Sequence, residues 1–74
     1  MEVSVVSFEE LPEFLTVEEA AGVLRIGRTS AYLLAQRWRD TGGETGLPVL
    51  RVGRQLRVPR SALIRMAELA GDAA

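Results

Sequence analysis

Four of the nine arginines in this 74-residue chain fall within one short stretch, GLPVLRVGRQLRVPRSAL, from Gly46 to Leu63. A guanidinium is planar, permanently charged and carries five N–H donors in a rigid fork, a geometry that suits phosphate oxygens and the guanine edge. Arg51, Arg54, Arg57 and Arg60 recur every third residue, and Arg25, Arg28, Arg37 and Arg39 lie upstream. Residues of this kind hold polyanions rather than break bonds. The chain has no His, no Cys and no Lys, so Ser61 and Thr41 lack a base to activate them. The same absences exclude imidazole acid–base chemistry, disulfides and cysteine–histidine zinc sites. No catalytic residue, metal or cofactor is expected, and the chain is not expected to be an enzyme.

A formal net charge of -1 conceals this basic region, because charge sign separates by position. Residues 1–24 carry six Glu and no base, a local balance of -6, whereas Arg25 to Arg65 holds all nine Arg against Asp40 and Glu44, a balance of +7. The exclusive use of Arg has two explanations, the base composition of the genome or the demands of bidentate anion contacts. Seventy-four residues suffice for one domain with a single apolar core, and 47% hydrophobic residues fit a folded chain. No apolar run approaches the roughly 20 residues that span a bilayer. Met1 to Phe8 lacks the basic start and apolar block of a signal peptide, so a cytoplasmic protein with no membrane partner is expected.

The elements that must position the arginines follow from periodicity. VSVVSF (Val3 to Phe8) reads as a short strand or extended arm, followed by an acidic linker, so that residues 1–13 form an N-terminal arm. Thr16 and Glu19 make a capping box for a first helix, with Val17, Ala20, Ala21 and Leu24 at helical spacing. Gly22 to Gly27 is expected to leave that helix as a tight turn with Ile26 as an apolar plug. A second helix then starts near Arg28, capped by Gly27 or Thr29, and buries Ala31, Leu34, Ala35 and Trp38. DTGGETG (Asp40 to Gly46) reads as a flexible loop. Leu50 and Val52 alternate with Arg51, and Leu56 and Val58 bracket Arg57. This pattern predicts a hairpin over Val49 to Val58, with one apolar and one arginine-bearing face. Pro59 introduces a last helix with Leu63, Met66, Ala67 and Ala70 on one face, and residues 71–74 form a frayed tail.

These elements predict an α+β domain, mainly α, over residues 14–70: a small winged helix-turn-helix with a two-stranded β-hairpin wing. Its second helix would offer Arg28, Thr29, Ser30, Tyr32 and Gln36 to a DNA major groove, where the helix dipole also favours phosphate. Its wing would offer Arg51, Gly53, Arg54, Gln55 and Arg57 to the adjacent minor groove or backbone. Arg25, Arg37 and Arg60 are further candidates for phosphate contact. The expected partner is double-stranded DNA.

The stretches FLTVEEAAGVLRIGRTSAYLL (Phe14 to Leu34) and GLPVLRVGRQLRVPRSAL resemble the excisionase family, the recombination directionality factors whose DNA-binding domain is a MerR-like winged helix. The second stretch carries the more specific likeness, a Gly-x-Pro before Arg-Val-Gly-Arg and a Pro-led helix. The resemblance covers about Phe14 to Leu69. It implies sequence-specific binding and bending of attachment-site DNA, head-to-tail self-association and an integrase partner in a bacterial or phage-infected cell, where the protein would sit with the nucleoid. Arg28, Thr29, Ser30 and Tyr32 would then match the recognition helix, and Arg54 with Gln55 the wing tip. Gly27 departs from the family, which commonly has Ser or Thr at this cap. A small transcription regulator acting by promoter occlusion would use the same surface, and a protein-binding adaptor would use the basic wing on an acidic partner.

Plainer roles stand beside several of these assignments. Tyr32 either reaches a phosphate or covers Leu24 and Ile26; Trp38 fits the core better than a stacking platform. Arg37 and Arg39 are equally well accounted for as solvated or paired with Asp40 and Glu44. Glu18 and Glu19 are expected to serve the first helix through its dipole and cap, and Glu9, Glu10 and Glu13 to be a solvated segment or to meet a neighbour's basic flank. The N-terminal arm would pair with its own wing or with a neighbouring chain.

Overall fold

Thr16 sets the first helix as its sequence predicts. In the computed structural model, which describes residues 8–73, Thr16 Oγ1 accepts the Glu19 N–H and Glu19 Oε1 accepts the Thr16 N–H, both at 3.0 Å. This reciprocal cap satisfies two donors that a helix start leaves open, and α1 runs from Val17 to Leu24. Gly22 lies inside α1 rather than in the turn expected from the sequence. The reversal falls instead on Arg25, in the left-handed region at φ 61° and ψ 43°. A non-glycine residue there costs about 1 kcal/mol. It is offset by the Ile26 N–H bond to the Ala21 carbonyl at 3.0 Å, which turns Ile26 back against the core.

Helix α2, Arg28–Asp40, follows after Gly27. Ala20 and Ala21 of α1 and Ala31 and Ala35 of α2 are all buried, so small residues line the place where the two helices pack. Leu34 is half-buried against the core as predicted, whereas Trp38 is half-buried beside the loop that follows α2 and beside the last helix. That loop is not the loose segment its glycines suggest. Leu47 is fully buried, its N–H bonds the Leu34 carbonyl at 3.0 Å, and Gly43 N–H bonds the Trp38 carbonyl at 2.9 Å.

Three short strands, β1 (Phe14–Leu15), β2 (Leu50–Val52) and β3 (Gln55–Pro59), form one antiparallel sheet in the order β1-β3-β2. The hairpin accounts for two of these strands as expected; β1, at Phe14–Leu15 rather than at the strand or arm expected over Val3 to Phe8, is too short to show periodicity and pairs across the fold, Leu15 opposite Val58. The expected division of the hairpin into an apolar and an arginine face is also corrected. Val52 pairs with Gln55 across a two-residue turn, so Leu50 lies opposite Arg57 and Arg51 opposite Leu56. Directly paired residues share a face, and each face therefore carries both kinds of side chain. The inner face contributes Leu15, Val58 and the half-buried Leu56; the outer face leaves Phe14, Leu50 and Val52 exposed.

Helix α3 extends over Arg60–Ala73, beyond the end expected at Ala70, because neither Gly71 nor Asp72 interrupts it. Leu15, Val17, Leu47, Val58 and Leu63 are the largest fully buried side chains, so the core draws on the sheet, α1, the loop after α2, and α3. Phe8–Glu10 forms a single 3-10 turn ahead of β1, with Phe8 half-buried against the core. Most of the proposed arm, Val3 to Ser7, lies outside the described residues. Together the described elements make a small α+β domain with three α-helices and a three-stranded sheet. Among the described residues no helix is long and apolar enough to cross a membrane.

Candidate functional site

Two of the arginine-bearing elements meet at one groove. Thr16, Val17 and Glu18 from the start of α1, Tyr32 from α2, and Arg54 to Arg57 from the hairpin line a surface depression of about 380 Å³. α2 reaches this groove because the three-residue connection from Arg25 to Gly27 folds it back against α1. The hairpin reaches it because β3 is pinned between β1 and β2.

At the start of α2 the residues singled out in the sequence are presented outward. Arg28, Thr29 and Ser30 are exposed, and Tyr32 is 46% exposed. Tyr32 lines the groove together with Val17 and Leu56. Gly27 is the N-cap, extended at φ -68° and ψ 155°, with no side chain to bond the first turn. The other candidate cap, Thr29, lies within the helix. Gln36 stands further along α2, where its amide donates to Asp40 Oδ1 at 2.9 Å. That bond ties Gln36 to the far end of α2, away from the groove.

The hairpin arginines differ in their freedom. Gly53 takes φ 62° at the first turn position, while Arg54 at the second has an ordinary φ, the pattern of a type II′ turn. Arg51 Nε donates to the Gly53 carbonyl at 2.9 Å and so braces that turn from within. Arg57 donates to the Leu56 carbonyl at 2.8 Å and to Gln55 Oε1. Arg54 is exposed at the tip and has no hydrogen bond or ion pair among the described residues. It is the freest cation of the hairpin.

Other candidates are placed elsewhere. Arg60 Nη1 donates to the Leu11 carbonyl at 2.9 Å and to the Glu9 carbonyl at 3.4 Å, and the Arg60 N–H bonds the Glu13 carbonyl at 2.8 Å. The half-buried Arg60 thus ties the segment before β1 to the start of α3, a structural task its sequence position did not reveal. Arg25 is exposed at the end of α1. Arg37 and Arg39 are exposed near the end of α2, and neither is ion-paired with Asp40 or Glu44 among the described residues. None of these three lines the groove.

The groove also holds a residue that the sequence assigned only to the dipole and cap of the first helix. Glu19 fills the capping box alone, and Glu18 instead reaches across to α2, where its Oε2 lies 3.5 Å from Arg28 Nη1. The local signal, two adjacent Glu in a first turn, does not distinguish them; only the packing of α1 on α2 does. Among the described residues no group of three or more His, Cys, Asp or Glu is placed to hold a metal ion. Comparison with family models, with curated proteins and with solved structures returned no match.

Proposed function

We propose that the chain is a sequence-specific double-stranded DNA-binding protein of the winged helix-turn-helix kind, with α2 as recognition helix and the β2–β3 hairpin as wing. One observation carries this: Tyr32 of α2 and the free tip of the hairpin line the same groove, and Glu18, which also lines it, lies 3.5 Å from Arg28 at the exposed start of α2. A helix start with Arg, Thr and Ser suits base edges and phosphates in a major groove. A projecting Arg54 beside it suits the neighbouring backbone or minor groove. Within that class we favour an accessory factor of the excisionase type, which bends attachment-site DNA, associates head to tail along it and sets the direction of an integrase. This finer choice rests on the resemblance of the two motif stretches to that family. Occlusion of a promoter by the same surface is the competing role.

Gel-shift and circular-permutation assays on DNA flanking the gene, at two salt concentrations, test both levels. Stepwise specific complexes with strong bending at an attachment site support the excisionase role; a single, weakly bent complex at a promoter moves the assignment to a transcription regulator. Binding with no preference among sequences removes the DNA-reading role and leaves the adaptor. Arg28→Ala is expected to cost about 1–3 kcal/mol of specific binding and relax sequence preference. Arg54→Ala is expected to weaken all sequences alike, and the salt slope should fall by about 0.9 for one lost phosphate contact. If both variants bind and bend like the parent, the groove is not the interface.

A further inference from the structure

One feature of the groove runs against its charge. Glu18 places a carboxylate in a surface whose other charged residues are Arg54 and Arg57, where it would repel an approaching phosphate. In the fold it adds a first-turn negative charge that favours the dipole of α1, a modest and exposed contribution. The capping box is complete with Thr16 and Glu19, and Glu18 has no hydrogen bond among the described residues. Its ion pair with Arg28 is open to solvent on both sides, with 72% and 54% of the two side chains exposed, and such pairs stabilise a fold little.

The pair does set a carboxylate beside Nη1 of Arg28, close enough to attract it although no hydrogen bond joins them among the described residues. A guanidinium drawn to a carboxylate through Nη1 leaves its Nε and Nη2 hydrogens free, and that edge can meet the O6 and N7 acceptors of a guanine in two parallel bonds. An unpartnered arginine at the same place would turn to the nearest phosphate, a contact available on every sequence. Resting on the DNA-binding role proposed above, we infer that Glu18 is the positioning residue for Arg28. It aims the guanidinium at a base edge and disfavours its capture by phosphate, so that an acid inside a basic surface increases discrimination between sequences.

The test uses the full chain and a duplex selected from a random pool, compared with a scrambled duplex, across a salt series. Glu18→Ala is expected to lower the ratio of specific to non-specific affinity about tenfold, within the range of one bidentate base contact. It should also steepen the non-specific salt dependence by about 0.9, because the released Arg28 gains one phosphate. Glu10→Ala removes the same charge from an exposed position outside the groove and should leave the ratio unchanged. In an Arg28→Ala background Glu18→Ala should no longer change the ratio, since the two residues act as a unit. Thermal unfolding of Glu18→Ala should stay within a few °C of the parent, as the capping box is untouched and only an exposed first-turn charge is lost.

Equal effects of Glu18→Ala and Glu10→Ala would reduce the role of Glu18 to net charge and overturn the inference. An effect of Glu18→Ala that persists without Arg28 would do the same, assigning Glu18 a direct action on DNA. A parent protein with no sequence preference would instead overturn the DNA-binding role itself, an outcome visible before any Glu18 variant is compared.

Discussion

At its C-terminal end α2 runs into Thr41, whose hydroxyl donates to the Arg37 carbonyl at 2.9 Å and accepts the N–H groups of Glu44 and Thr45, each at 3.2 Å. At its N-terminal end it starts from Gly27, which offers no side chain and has nothing within 4 Å of where a Cβ would stand. The same contrast holds for the glycines. Gly46 packs where an added Cβ would lie 2.4 Å from the Leu34 carbonyl oxygen and 2.6 Å from the Trp38 nitrogen, whereas Gly27 faces open space. One end of the helix is locked to the core through the returning loop and Leu47; the other stands clear with Arg28, Thr29 and Ser30 exposed. A helix held from behind can offer its free end to a ligand without loosening, which is what the proposed recognition helix requires.

The largest expected effect comes from breaking the locked end. Gly46→Ala adds a Cβ onto helix backbone that cannot yield, at φ 108°, where side chains are strained regardless of space. We expect a loss of about 3 kcal/mol or more, as for other overpacked and strained core positions. In a domain of this size that lowers Tm by about 12 °C or more, measurable by circular dichroism. A change under about 1 kcal/mol would show that the loop does not hold α2. Next in size is Thr41→Val, which keeps the side-chain shape and removes the hydroxyl. Its bonds are exposed and water replaces part of them, so we expect a loss of about 1 kcal/mol in urea unfolding. A neutral result would leave Gly46 as the main fastener.

How much of this contrast could be read from the sequence depended on the distance between partners. The capping box of Thr16 and Glu19 spans three residues and was legible, whereas the sequence pattern sets Gly53, Arg54 and Gln55 all between the strands, and the structure makes the turn of Gly53 and Arg54 alone with Gln55 paired to Val52. The mixed faces of the hairpin follow from that shorter turn: once two residues join the strands and Val52 pairs with Gln55, alternation must set Leu50 beside Arg57, against the separate faces expected. Other features had no local signal. β1 exists because Leu15 meets Val58, Arg60 is engaged by carbonyls from the segment before β1, and Glu18 finds Arg28 through the packing of α1 on α2. Of the groove's lining the sequence identified Tyr32, Arg54, Gln55 and Arg57 from their types and spacing, but not Glu18, whose contact with Arg28 is made between helices. The glycines after Asp40 misled for a related reason. Their positive φ values suggest looseness in a sequence, yet at Gly46 the same freedom permits the tightest approach of loop to helix.

The smallest expected effect sharpens the comparison most, because it makes the same kind of change at the opposite end. Gly27→Ser gives α2 the side-chain cap it lacks, at an extended backbone conformation that serine adopts without strain and in a space with no neighbouring atom. The new hydroxyl would accept an N–H of the first turn, and serine also narrows the freedom of the unfolded chain. Both terms act in one direction, and we expect a gain of a few tenths of a kcal/mol, a rise in Tm of roughly 1–3 °C. Gly46→Ala and Gly27→Ser each add a small side chain to a glycine beside the same helix, yet they should differ in sign and about tenfold in size. A destabilising Gly27→Ser would mean that the start of α2 is more tightly enclosed than its exposure indicates, and the division of the helix into a held end and a free end would fall with it.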